Sequence, residues 1–171
     1  MKAELFSSDF MMSILLFLTV LTIITAYYQN LQTDVYEADI RNDMHSKAIN
    51  VASLLATTSG YPKYWDSTNV QIIGLYDSGK FNLTKFEELK QMTQTEYQTV
   101  KVKLGTGNYN FYISLKNTTE NIIVKPSDPS FSYSCGIDAV NADQVVLIKR
   151  LGVVNLEGNA TKVTMEVILW I

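Results

Sequence analysis

One histidine and one cysteine in 171 residues narrow the chemistry open to this chain before any fold is considered. With His45 as its only imidazole, the chain cannot build a zinc site from several imidazoles, and general-base chemistry would rest on a single side chain. Asp43 lies two positions from His45, and residues two apart do not share a helix face. His45 therefore reads as a packing or surface residue. Cys135, in Ser134-Cys135-Gly136, excludes an internal disulfide and any multi-cysteine metal site, and reads as a small buried side chain. The acidic pairs Asp39/Asp43 and Glu87/Glu88 read as solvated faces, because glycosidase chemistry needs two carboxylates converging on one bond. Gly105-Thr106-Gly107 reads as a turn, since no Lys-Ser/Thr follows to make a phosphate cradle. No catalytic residue, metal or cofactor is assigned. Ten tyrosines and two tryptophans leave two readings of Tyr61, Tyr64 and Trp65, an adhesive patch or ordinary packing and subunit contacts.

The elements that must position these residues are unevenly distributed. Net charge is −3 and charged residues make up 18%, with no basic stripe, so nucleic acid is not an expected partner. From Phe10 to Tyr28 the chain reads FMMSILLFLTVLTIITAYY, and the uncharged stretch continues to Thr33, 24 residues in all. As a helix at ~1.5 Å per residue it covers roughly 36 Å, enough to cross a hydrocarbon core of ~30 Å. Phe10, Leu15, Leu16, Phe17, Leu18, Val20, Leu21, Ile23 and Ile24 supply its apolar surface, and Tyr27 and Tyr28 stand where interfacial aromatics anchor a helix end. A cleavable secretory signal fits poorly, since the stretch is too long and no small-x-small site closes it. Lys2 and the amino terminus lie before it, and Asp34, Glu37 and Asp39 lie after it. That asymmetry predicts a single-pass membrane protein with its N-terminus cytoplasmic and its bulk outside. Three sequons, at Asn82, Asn117 and Asn159, fall in the part expected to be exported and are candidate N-glycosylation sites.

No Gly or Pro occurs before Gly60, so one helix is expected from about Leu5 to Thr58, ending at Gly60-Tyr61-Pro62. Leu31, Val35, Ala38, Ile49, Ala52 and Leu55, with Asn42 and His45 between them, form a stripe near a 3.5–3.6 period that should pack on the downstream domain. Further elements are a strand at Val70–Leu75, a helix from Lys85 to Thr93 capped by Thr84 with Glu87, and a strand over Asn108–Lys116. Pro126 and Pro129 mark a loop. Two strands, Gln144–Leu156 (bulged at Gly152) and Thr161–Ile171, should form an antiparallel hairpin about Glu157-Gly158-Asn159. The expected fold is α+β: a short N-terminal segment (1–9), a spanning helix (10–30), its amphipathic continuation (31–59) and a small β-rich head (60–171).

This architecture, with Lys2-Ala3-Glu4-Leu5-Phe6-Ser7-Ser8-Asp9-Phe10 leading into the apolar helix, resembles archaeal type IV pilin-like proteins with a class III signal region. Gly60-Tyr61-Pro62, Trp65, Ile73-Gly74-Leu75 and Tyr109-Phe111-Tyr112 extend the likeness into the head. The resemblance implies a surface-filament subunit, major, minor or accessory, whose apolar helices exchange lipid for one another, with adhesion as an added role. It implies processing around Lys2, Ala3, Glu4 and Leu5 by a prepilin peptidase, and contact with other pilin subunits, the membrane and a pilus assembly platform. It also implies that Asp9 is a registry charge paired with a neighbour's new terminal amine; the other reading is a headgroup-level acid favoured by the helix dipole. The family's acid stands fifth in the mature chain. Cleavage after Ala3 makes Asp9 sixth, and cleavage after Glu4 makes it fifth but leaves Glu before the cut. The alternative is a membrane-anchored extracytoplasmic binding or sensing domain that does not polymerise. An extracytoplasmic enzyme is set aside for want of a catalytic constellation.

Overall fold

The computed structural model describes residues 8–171. It is α+β, with a long apolar N-terminal helix followed by a β-rich region. Helix α1 (Ser8–Thr57) runs without interruption, as the absence of Gly and Pro requires, and stops just before Gly60, which sits at φ +79°. The chain divides into two compact units, Met1–Ile40 and Arg41–Ile171, so the last part of α1 belongs to the second.

In the second unit, six strands form one sheet in the order β1-β2-β7-β8-β3-β6. The strands are β1 (Tyr76–Asp77), β2 (Lys80–Phe81), β3 (Asn110–Lys116), β6 (Ser134–Gly136), β7 (Val145–Leu156) and β8 (Asn159–Trp170). Strands β4 (Val124–Lys125) and β5 (Asp128–Ser132) make a separate hairpin where a loop was expected at Pro126 and Pro129. The expected antiparallel pair is the backbone of the sheet: β7 and β8 pair from Val145↔Trp170 to Leu156↔Asn159. Glu157 (φ 51°) and Gly158 (φ 89°) both take positive φ, the backbone of a two-residue turn whose twist suits the hairpin. Asn159 opens β8 rather than closing the turn. Gly152 is not at a bulge; it pairs regularly with Val163, and the Phe81 ring occupies the space a Cβ would need.

The core lies on one face of the sheet. Phe111, Ile113 and Leu115 of β3 meet Val163, Met165, Val167 and Leu169 of β8, all 0–2% exposed. Helices α2 (Leu83–Thr95) and α3 (Tyr97–Leu104) bury Phe86, Leu89, Val100 and Leu104, and the Tyr97 ring stacks on Phe111 at 4.9 Å. Helix α3 gave no separate signal in the sequence. Asn82, not Thr84, caps α2: its Oδ1 accepts from the Lys85 N–H at 3.2 Å. The strand expected at Val70–Leu75 is irregular instead, tied by a single Tyr61↔Ile72 bridge. The reason is a polar clamp. Trp65 Nε1 donates to the carbonyls of Ser59 and Gly74, both at 3.0 Å, while Lys85 Nζ donates to Ser59 O (2.6 Å) and Lys63 O (2.8 Å). Of these carbonyls Gly74 O belongs to the segment; Val70 O is taken up separately by Lys103 Nζ, Ile72 O by the Tyr61 N–H and Leu75 O by the Asn82 N–H, with no regular ladder.

From Arg41 onward α1 buries Met44, Ala48, Val51, Ala52 and Leu55, each at most 1% exposed. Asn42 and His45 are exposed, so the expected stripe is displaced by a residue or so. Leu31, Val35 and Ala38, expected to be covered by the downstream domain, are exposed as well.

Candidate functional site

Within the first unit the candidate surface is the apolar helix itself. All nine residues named for it, Phe10, Leu15, Leu16, Phe17, Leu18, Val20, Leu21, Ile23 and Ile24, are exposed, from 45% at Leu21 to 66% at Leu16. Covering nine such side chains is worth on the order of 20 kcal/mol at ~1.5–3 kcal/mol each. A whole domain is stable by only about 5–15 kcal/mol, so bare water is not a tenable environment for this surface. The helix is long and apolar enough to cross a membrane.

Its polar atoms are arranged for the same environment. The hydroxyls of Ser13, Thr19, Thr22 and Thr25 donate to the carbonyls four residues earlier, of Asp9, Leu15, Leu18 and Leu21, at 2.6–3.0 Å. Each hydroxyl is thereby satisfied inside the helix and presents mainly carbon outward. Asp9 lies in the first turn, where the helix dipole favours a negative charge. Lys2, Ala3, Glu4 and Leu5 lie outside the described residues. At the end of the uncharged stretch and beyond it, Leu31, Val35 and Tyr36 remain exposed and line one shallow groove with Tyr28, Gln32 and Asp39. Their spacing of three and four residues is that of a single helix face.

In the second unit, the residues with chemical potential are tied into structure. Asp43 accepts from Lys47 Nζ and from the Tyr109 hydroxyl, both at 2.8 Å, and those bonds, Lys47's first, hold its carboxyl below the usual range. Glu87 accepts from Lys125 Nζ (2.7 Å) and the Tyr133 hydroxyl (3.1 Å). Burial first, and then the neighbouring Glu87, push the Tyr133 phenol up to about 12. Glu88 accepts from the Ser67 N–H at 3.0 Å. Asp43, Glu87 and Glu88 are thus engaged rather than merely solvated. His45 is exposed, and Cys135 is buried, with its thiol pushed up to about 12 by burial. Gly105 takes φ +73° as the C-cap of α3, and the Thr106 N–H bonds back to Lys101 O at 3.1 Å, so this segment is a helix terminus. Among the described residues no three His, Cys, Asp or Glu side chains gather where a metal ion could sit. The aromatic cluster is split, because Trp65 is 4% exposed inside the clamp while Tyr61 and Tyr64 face solvent.

The sheet face opposite the apolar core carries a charge cluster that sequence reasoning missed. Glu166 of β8 is buried there between Lys116 of β3 (2.7 Å) and Lys149 of β7 (2.9 Å), and Lys149 also reaches Glu120 at 3.3 Å. Burial alone would raise the Glu166 carboxyl; the two lysines outweigh it and set it below its ordinary value. Alternation along β8 sets Glu166 on the face opposite Met165 and Val167, but a single strand's sequence does not show which strands flank it. The candidate sequons are spread over the second unit: Asn82 caps α2, Asn117 opens the turn after β3, and Asn159 starts β8. No family model matches the chain, and neither curated proteins nor solved structures give a significant match.

Proposed function

We propose that this chain is a structural subunit of an archaeal type IV pilus-like surface filament. It is membrane-anchored before assembly, with the N-terminus cytoplasmic and residues 41–171 outside. The observation that carries this reading is the exposed apolar surface of α1, from Phe10 to Leu31 and on at Val35 and Tyr36, with the hydroxyls of Ser13, Thr19, Thr22 and Thr25 satisfied internally. Such a surface has two low-energy environments, lipid and other apolar helices, and a filament subunit uses both in turn. The groove face at Leu31, Val35 and Tyr36 favours helix partners over lipid alone, because it extends the apolar surface beyond the 24 uncharged residues. In this role the engaged carboxylates and the clamp at Lys85 make a stable cap rather than a reacting site. The partners are other pilin subunits, a prepilin peptidase and an assembly platform. A prepilin peptidase would act at the segment containing Lys2, Ala3, Glu4 and Leu5, and Asp9 would pair with a neighbour's new amino terminus.

Co-expression with a prepilin peptidase tests the reading. Intact mass and N-terminal sequencing should show loss of three or four residues, and the processed protein should form filaments visible by negative-stain microscopy. An intact terminus on a protein that stays monomeric in membranes would overturn it in favour of an anchored binding or sensing domain.

A further inference from the structure

The three Asn-x-Thr sequons occupy different backbone settings, and the difference bears on which of them a folded subunit can offer for modification. Asn82 is locked at the start of α2. Its N–H donates to Leu75 O at 2.7 Å, its carbonyl accepts from the Phe86 N–H at 3.2 Å, and its side-chain oxygen accepts from the Lys85 N–H. The remaining sequon residues, Leu83 and Thr84, are already in the first helical turn, flanked by buried Phe81, Lys85 and Phe86. Presenting this asparagine in an open conformation means unwinding that turn and losing the cap, worth ~1 kcal/mol for the cap alone.

Asn117 is also hydrogen-bonded through its backbone, its N–H to Asn121 O at 2.9 Å and its carbonyl from the Glu120 N–H at 3.0 Å, but these bonds close a short exposed turn rather than a helix start flanked by buried residues. It opens a turn whose next three residues, Thr118, Thr119 and Glu120, are exposed. Its Oδ1 accepts from Thr119 N–H (2.9 Å), Thr119 Oγ1 (2.7 Å) and Asn121 N–H (3.0 Å). The sequon hydroxyl is thus already gathered on the amide oxygen, and among the described residues Nδ2 of the amide makes no hydrogen bond. Thr118 also lines a shallow groove with Leu151, Val153, Lys162 and Thr164, in which Leu151 is 85% exposed. A first sugar on Asn117 would lie beside this aliphatic surface. Asn159 is exposed beside the Glu157-Gly158 turn, at the tip of the long hairpin.

We infer that Asn117 and Asn159 are N-glycan acceptors of the folded protein and that Asn82 is not. The donor class is an oligosaccharide carried on a lipid phosphate. The bond from its anomeric carbon to phosphate oxygen breaks, a bond from that carbon to the asparagine Nδ2 forms, and the amide loses one proton as the lipid phosphate departs. Use of these sites in the cell rests on the exported placement proposed above, but their acceptor geometry does not.

The test therefore avoids export. Detergent-solubilised full chain from a non-glycosylating host is incubated with a purified single-subunit oligosaccharyltransferase that accepts Asn-x-Ser/Thr and a polyprenyl-diphosphate oligosaccharide. Glycopeptides are quantified by mass spectrometry. Synthetic peptides spanning 79–87, 114–122 and 156–164 give the intrinsic acceptor strength of each sequon. Relative to its peptide, Asn82 in the folded chain should be modified at least ten-fold less than Asn117 or Asn159, with Asn117→Gln and Asn159→Gln each removing one glycopeptide. Equal relative occupancy at Asn82, or modification of the peptides with none at Asn117 and Asn159, overturns the inference. Failure of prepilin processing leaves this measurement unchanged, so the two readings fail separately.

Discussion

Helix α1 is one continuous element with two surfaces of opposite fate. Before residue 41 its large apolar side chains are exposed, Leu16 at 66% and Val35 at 60%. After it, Met44, Ala48 and Leu55 are completely buried in the second unit. Helix propensity does not distinguish the two stretches; what differs is the partner. The second stretch finds its partner within its own chain, while the first must find lipid or another helix. Stability of the second unit and placement of the first should therefore respond to different substitutions.

The largest separation should come from charge in the first stretch. Leu18→Arg with Leu21→Arg places two guanidinium groups near the middle of the apolar segment, at a cost of about 5–7 kcal/mol for insertion. Flotation with lipid vesicles should show loss of membrane association. The melting temperature of the β-rich unit should stay within about 1 °C, because neither leucine is part of its core. A large drop in melting temperature would break the comparison.

The converse experiment is a cavity. Leu55 is 0% exposed, and Leu55→Ala should destabilise the second unit by about 2–5 kcal/mol, read as a shift in the urea midpoint. Leu16→Ala, the same truncation on the exposed stretch, should move that midpoint by no more than about 0.5 kcal/mol. Equal effects would mean that the two stretches fold as one.

Much of this division was legible in the sequence. The uncharged run, the absence of Gly and Pro before Gly60 and the alternation in β3 and β8 each report a single physical demand, so each could be read. The stripe could not be read through. A seam carried from Leu31 through Asn42 and His45 to Ala52 keeps a seven-residue repeat, and a straight helix drifts ~20° per repeat. The seam meets the buried face at Ala52 and Leu55, and going back toward the N-terminus it leaves that face by ~20° per repeat, so His45 falls outside it while Met44, Ala48 and Val51 lie on it. The cap of α2 was misplaced because both Asn82 and Thr84 are good caps, and only the fold shows which one precedes the first turn. Packing was one of the two readings of Trp65, and its burial agrees with it, but the indole N–H partners, the carbonyls of Ser59 and Gly74, are set by the loop's path. The Glu166 network depends on strand order, which a lone strand does not encode.

That network offers a sharper test on the sheet face opposite the apolar core. Glu166→Gln leaves Lys116 and Lys149 without their carboxylate and should cost about 1–3 kcal/mol. The pH dependence follows from the lowered carboxyl. Its contribution is fully present above the ordinary glutamate value of 4.5 and is lost as pH falls through the lower value of the folded state. Stability of the wild-type second unit should therefore decline more steeply below about pH 4 than that of Glu166→Gln. Parallel acid profiles would show that the ion pairs contribute nothing.

The smallest effect belongs to Asp43, on the second stretch of α1 but facing water. Lys47 Nζ and the Tyr109 hydroxyl both donate to Oδ2, and the Lys47 ammonium also sits 4.9 Å from the Tyr109 ring centre. Side-chain NMR titration should show the Asp43 carboxyl rising toward its ordinary value in Lys47→Met, and rising less in Tyr109→Phe, because the lysine bond is the larger cause of the lowering. A solvent-accessible pair of this kind is screened by salt, so adding about 0.5 M NaCl should shrink the Lys47 effect and leave the neutral Tyr109 bond largely intact. If both bonds weaken together, the ammonium is holding the phenol in place. The contact from α1 to Tyr109 would then depend on charge rather than on the buried stripe beneath it.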